Sequence, residues 1–139
     1  SYMVSLFLGN DYTNEEKEIA KQTGLSLMQF KDFETAAPDE FLKIIKNASL
    51  VLTDSYHVTI FSMLFHRPFI IFQRKSKGVS MNSRFETLDY YFHLDNRFYE
   101  NVKKHKNYLE VLNEGLFENL LIKLRKDSTE YLNSLFKVI

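Results

Sequence analysis

Short, wholly apolar runs alternate with amphipathic ones along the first half of the chain. YMVSLFLG, residues 2–9, is rich in strand formers and closes on Gly9-Asn10, a turn signal. TNEEKEIAKQTG, residues 13–24, reads as a helix with Asn14 or Thr13 as its cap, glutamates in its first turn and Gly24 at its end. LSLMQF, residues 25–30, is a second strand. In FETAAPDEFLKIIKN, Pro38 opens a helix, acids follow it, and Lys46-Asn47 close it. LVLTD, residues 50–54, is a continuous apolar strand, HVTIFSMLFH an apolar helix, and PFIIF, residues 68–72, a fourth strand. Strands this short and apolar are buried on both faces. Their alternation with helices predicts an α/β fold: an open parallel sheet with helices on both faces.

The pattern changes after Phe72. QRKSKGVSMNSR, residues 73–84, is polar and basic and reads as a loop. NSRFETLDYYFHL reads as a helix capped by Asn82 or Ser83, and the Lys-rich ENVKKHKN leads to a second loop. FENLLIKLRKDSTEYLNSLF has apolar residues at helical spacing and predicts a C-terminal helix folded back on the domain. Its cations read as a solvated face.

Composition narrows the function classes. At 139 residues the chain fits one domain with room for a core. Lys plus Arg and Asp plus Glu number 18 each, so no dominant basic surface for nucleic acid is expected. There is no cysteine, which removes disulfides, thiolate metal sites and a cysteine nucleophile; no metal site is expected. The apolar runs fall short of a membrane span. The immediate strand after Ser1 reads as a piece cut from a longer protein.

Two places carry candidate chemistry. In open α/β sheets, ligands bind beyond the carboxyl ends of the strands. Asp54-Ser55-Tyr56-His57 falls at such an end, between a strand and a helix. A helix N-terminus presents N–H groups and partial positive charge to anions. Ser55 fits an N-cap, and His57 falls in the first turn, where a bound anion would favour its protonated ring. The plainer alternative is that Asp54 or Ser55 only caps the helix and His57 packs at the sheet edge. In MNSR, Arg84 lies in a first turn, where the helix dipole favours acids. A guanidinium there suits a phosphate or carboxylate; an ion pair with Glu86 or Asp89 is the alternative. Arg74, Lys75 and Lys77 close over an anion or stay solvated. His66 reads as a helix-end cap, and His93 and His105 have no metal-like partner.

FLKIIKNASLVLTDSYHVTIFSMLFHRPFIIF followed by MNSRFETL resembles the C-terminal half of the polysaccharide pyruvyl transferase family. Members of that family show a strand leading into Asp-Ser-aromatic-His, then Phe-Ser, a Pro-Phe strand and Asn-Ser-Arg, in that order. The tail ENLLIKLRKDSTEYLNSLF resembles the family's closing helix, and FLGN agrees less clearly near the start. One departure stands out: Val58 follows the His where the family has Gly, and is expected to narrow the pocket.

The resemblance implies a Rossmann-like domain, residues 1–139, forming one half of a GT-B-type enzyme whose active site lies between two domains. It implies transfer of the pyruvyl group of phosphoenolpyruvate to a saccharide hydroxyl, forming a ketal in capsule, cell-wall or exopolysaccharide synthesis. His57 would be the catalytic residue, with Asp54, Ser55, Arg74, Asn82, Ser83 and Arg84 on the substrate. No cofactor is implied beyond the donor substrate. The partners are the N-terminal domain, phosphoenolpyruvate and a saccharide acceptor. The location is the cytoplasm, compatible with the inner membrane face. A nucleotide-sugar transferase of GT-B type and a non-catalytic interaction module are the competing readings.

Overall fold

The four strands are short: β1 (Tyr2–Leu6), β2 (Ser26–Gln29), β3 (Leu50–Thr53) and β4 (Phe69–Ile71); β-branched and aromatic residues favour β1, β3 and β4, while β2 is an exposed edge strand without them. Helices α1 (Thr13–Thr23), α2 (Pro38–Asn47) and α3 (Tyr56–Leu64) connect them in turn. A 3-10 turn (Asp95–Arg97) and helix α4 (Tyr99–His105) follow. The computed structural model describes residues 1–9, 12–31, 37–72 and 94–111, with residues 118 and 122. The Asn82-capped helix predicted over residues 82–94 lies almost wholly outside them, as does the C-terminal helix apart from residues 118 and 122.

The sheet is parallel throughout, with strand order β2-β1-β3-β4. The chain steps outward from β1 to β2, then crosses back to β3 on the other side of β1. Because parallel crossovers keep one hand, that reversal sends α1 to one face and α2 and α3 to the other. Burial follows. Val4, Leu6, Val51, Phe69 and Ile71 join Phe41, Ile45 and Phe61 of α2 and α3 in one core. Met3, Leu50, Leu52 and Ile70 point the other way and join Ile19 of α1 and Val102 of α4. Strand alternation thus feeds two cores, each buried aliphatic side chain contributing on the order of 1.5–3 kcal/mol. This is the predicted Rossmann-like α/β sheet with helices on both faces.

Three local details differ from the sequence expectation. The N-cap of α1 is Tyr12, with no side-chain cap bond, rather than Thr13 or Asn14. The Tyr12 ring packs on Phe7 and Phe72, with centroids at 4.6 and 4.8 Å, and this aromatic anchor sets where the helix starts. The Lys-rich stretch near residue 100 is a helix, not the approach to a loop. Val102 is fully buried and Tyr99 stacks on Phe72 at 4.7 Å, so two apolar anchors hold a turn of otherwise exposed charge. β1 ends at Leu6, because Leu8 and Gly9 are taken up by a side-chain contact described below.

The predicted stops fare better. Gly24 closes α1 at φ 72°, a left-handed position that favours glycine, and its N–H donates to the Ala20 carbonyl. His66 takes φ 55° just past α3, its N–H donates to Met63, and its Nε2 lies 3.3 Å from Glu118 Oε1. Among the described residues, no helix is long and apolar enough to cross a membrane.

Candidate functional site

The reversal of strand order around β1 defines a switch point between β1 and β3. At such a point the two following helices diverge to opposite faces and leave a crevice beyond the strand ends, where ligands of open α/β sheets bind. The segment Thr53–His57 lies there.

A dense hydrogen-bond network builds the junction. The Thr53 hydroxyl donates to the Leu6 carbonyl at 2.7 Å and accepts the Ser55 N–H at 2.9 Å, stitching β3 to the end of β1 and turning the chain. Asp54 is fully buried, and its two carboxylate oxygens accept the N–H groups of Leu8 at 2.7 Å and Gly9 at 2.9 Å. Ser55 is the N-cap of α3: its Oγ accepts the Val58 N–H at 3.4 Å, and its carbonyl accepts the Thr59 hydroxyl at 2.9 Å. For Ser55 the capping reading therefore holds. Asp54 fixes the loop after β1.

His57 lies on the same edge. It is half-buried in the first turn of α3, with its ring edge-on to Tyr56 at 5.7 Å. Val58 is fully buried in the α2–α3 core, so its side chain turns inward rather than toward the crevice. The structure thus brings Asp54, Ser55 and His57 to one strand end. Arg74, Asn82, Ser83 and Arg84 lie outside the described residues. Among the described residues, no cluster of three or more His, Asp or Glu could hold a metal.

Sequence reading passed over Arg97, which is 1% exposed. Its Nε donates to the Phe69 carbonyl, Nη1 to Asn107 and Nη2 to Tyr108, each at 2.9 Å. Burial lowers its pKa to about 10, while the nearby Glu110 charge acts the other way. This fork ties the segment after α4 to the edge of β4. Nothing local in DNRF marks it, because three of its four carbonyl acceptors, Phe69, Asn107 and Tyr108, are ten or more residues away in the chain and only the longest bond, at 3.4 Å to Asn96, is local.

A family model described as polysaccharide pyruvyl transferase matches residues 2–76, more than half of the chain. The chain belongs to the polysaccharide pyruvyl transferase family. The match spans all four strands, the three crossover helices and the whole Thr53–His57 junction. No curated protein and no solved structure matches. Membership in this transferase family places the chain among proteins of polysaccharide biosynthesis.

Proposed function

We propose that this chain is the donor-binding domain of a pyruvyl transferase, the C-terminal half of a GT-B-type enzyme, and that phosphoenolpyruvate binds at the α3 N-terminus. The observation that carries the reading is the placement of His57 in the first turn of α3, at the switch point of a sheet whose family transfers pyruvyl groups. Phosphoenolpyruvate carries a phosphate and a carboxylate. A helix N-terminus and an imidazolium are matched to both. Arg84, from the Asn-Ser-Arg motif, would clamp the second anionic group, with Asn82, Ser83 and Arg74 beside it.

In the reaction, a saccharide hydroxyl adds to C2 of the enol and a proton is delivered to the methylene carbon, which becomes the methyl group. A second hydroxyl then displaces phosphate and closes the ketal. On this reading His57 binds the donor and supplies that proton. The acceptor would approach from the N-terminal domain, toward the edge where Leu8 stands 37% exposed. Such an enzyme would work in the cytoplasm or at the inner membrane face.

The test is an amide-resolved NMR titration with phosphoenolpyruvate, with UDP in parallel. Phosphoenolpyruvate should move the amides of residues 55–58, and His57→Ala should weaken binding about tenfold or more, the worth of a charge-assisted hydrogen bond. Stronger binding of UDP at those residues, or binding untouched by His57→Ala, would overturn the assignment.

A further inference from the structure

A cleft of about 380 Å³ opens at the same sheet edge on the far side of β1, between the ends of β1 and β2. Ser5, Phe7, Glu16, Gln29, Phe30 and Lys31 line it, and its size lies in the range of small-ligand pockets. Its floor is a carboxylate–amide pair. Glu16 is 3% exposed, and Gln29 donates its side-chain N–H to Glu16 Oε2 at 2.7 Å. Burying a carboxylate is costly, and a single amide contact is a modest return for it. Two half-buried phenyl rings also line the cleft, Phe7 on the α1 face of the sheet with the pair and Phe30 packed against the opposite core. Phe7 is held by Tyr12 and Phe72, and Phe30 by its N–H donating to the Ser5 carbonyl at 2.9 Å.

This lining has a definite chemical preference. A carboxylate and a primary amide side by side offer acceptors and donors for two adjacent hydroxyls, while aromatic rings cover the apolar face of a sugar. In dinucleotide-binding sheets an acid at the end of β2, about 20 residues past the glycine turn, takes the ribose hydroxyls. Gln29 ends β2 at that distance from Gly9, and the acid comes instead from Glu16 of α1 beside it.

We infer that Glu16 and Gln29 bind a vicinal diol of a sugar ring whose apolar face rests on Phe7. The site is separate from the α3 junction and does not depend on the donor assignment. Two sources supply this chemistry, a saccharide unit and the ribose of a nucleoside. The wall they share with the junction is the loop that Asp54 holds through Leu8 and Gly9.

The experiment is an amide-resolved NMR titration of this chain. One arm uses methyl β-D-galactopyranoside and methyl α-D-mannopyranoside, the other uridine. Shifts are expected at Gly9, Phe30, Lys31 and the Gln29 side-chain amide. They should weaken about tenfold in Glu16→Gln and in Gln29→Ala, as for a lost hydrogen bond to a charged group. Gln29 is exposed, so Gln29→Ala preserves the fold if Glu16→Gln does not. A response in the glycoside arm alone identifies a saccharide, and in the uridine arm alone a ribose. Silence in both arms, or shifts that survive both variants, overturns the inference. Phosphoenolpyruvate is read separately at residues 55–58, so failure of either reading leaves the other standing.

Discussion

Asp54→Ala tests whether the β3–α3 junction is held from within. The carboxylate is fully buried and accepts two backbone N–H groups at 2.7 and 2.9 Å. Hydrogen bonds to a charged group are worth about 1.5–3 kcal/mol each. Two effects reduce the sum. The variant is relieved of a buried charge, and Leu8 and Gly9 are exposed enough for water to reach their N–H groups. The expected loss is therefore about 2–4 kcal/mol, which moves a urea midpoint by roughly 1–2 M at ordinary slopes. Hydrogen exchange adds a local readout: the Leu8 and Gly9 amides should lose protection well before Met3 and Val4, which lie in the core of β1. Asp54→Asn keeps one acceptor oxygen but turns an NH₂ toward the other N–H, so it should cost most of the same. A loss below about 0.5 kcal/mol with Leu8 and Gly9 protection unchanged would refute the clamp.

Further outcomes follow from the same structure. Arg97→Met removes three donors from the carbonyls of Phe69, Asn107 and Tyr108 and should cost about 2–4 kcal/mol, with exchange at α4 rising first; uniform loosening of the whole sheet would count against the fork as a local tie. Gly24→Ala meets no atom within 4 Å, so its cost is the left-handed backbone alone, about 1 kcal/mol by thermal melting; a loss of 3 or more would mean a clash that the structure does not contain. Burial pushes the phenols of Tyr2, Tyr99 and Tyr108 above their ordinary value, and the carboxylates of Glu15 and Glu18 add to this at Tyr99. Their folded pKa exceeds the unfolded one, so their contribution to stability is whole below pH 10 and is lost as pH rises through the folded value. Arg97 acts with the opposite sign, since its folded pKa of about 10 lets the unfolded chain hold the extra proton above that pH. Ultraviolet titration should show phenolate appearing later in the folded chain than in urea; coincident curves would contradict the burial.

Much of the sheet was written in one dimension. Apolar runs at 2–9, 25–30, 50–54 and 68–72 all contain strands; in β1, β3 and β4 the cause is cover on both faces, which leaves no room for polar alternation, whereas β2 is an edge strand left mostly exposed. Pro38, Gly24 and Ser55 served as punctuation because their effects are local: a preset φ, a left-handed stop and a side-chain cap. His57 could be placed at a strand end for the same reason. Glu16 was legible in principle, since Tyr12, Glu16 and Ile19 fall four and three residues apart on one helical face and all three are buried.

The remainder depended on neighbours distant in the chain. Tyr12 starts α1 because Phe7 and Phe72 receive its ring, and α4 exists because Phe72 and the sheet accept Tyr99 and Val102. Local propensity sees a Lys-rich segment and cannot see the surface it docks against. The roles of Asp54 and Arg97 are the clearest case. Each satisfies backbone groups that only the fold brings within reach, across 45 or 46 residues for Asp54 and 28 for the arginine's bond to Phe69. Residue type and spacing determined which segments became strands and where the capped start of α3 would fall. Which charged groups hold the frame was decided by long-range hydrogen bonds and burial that only the packed chain creates.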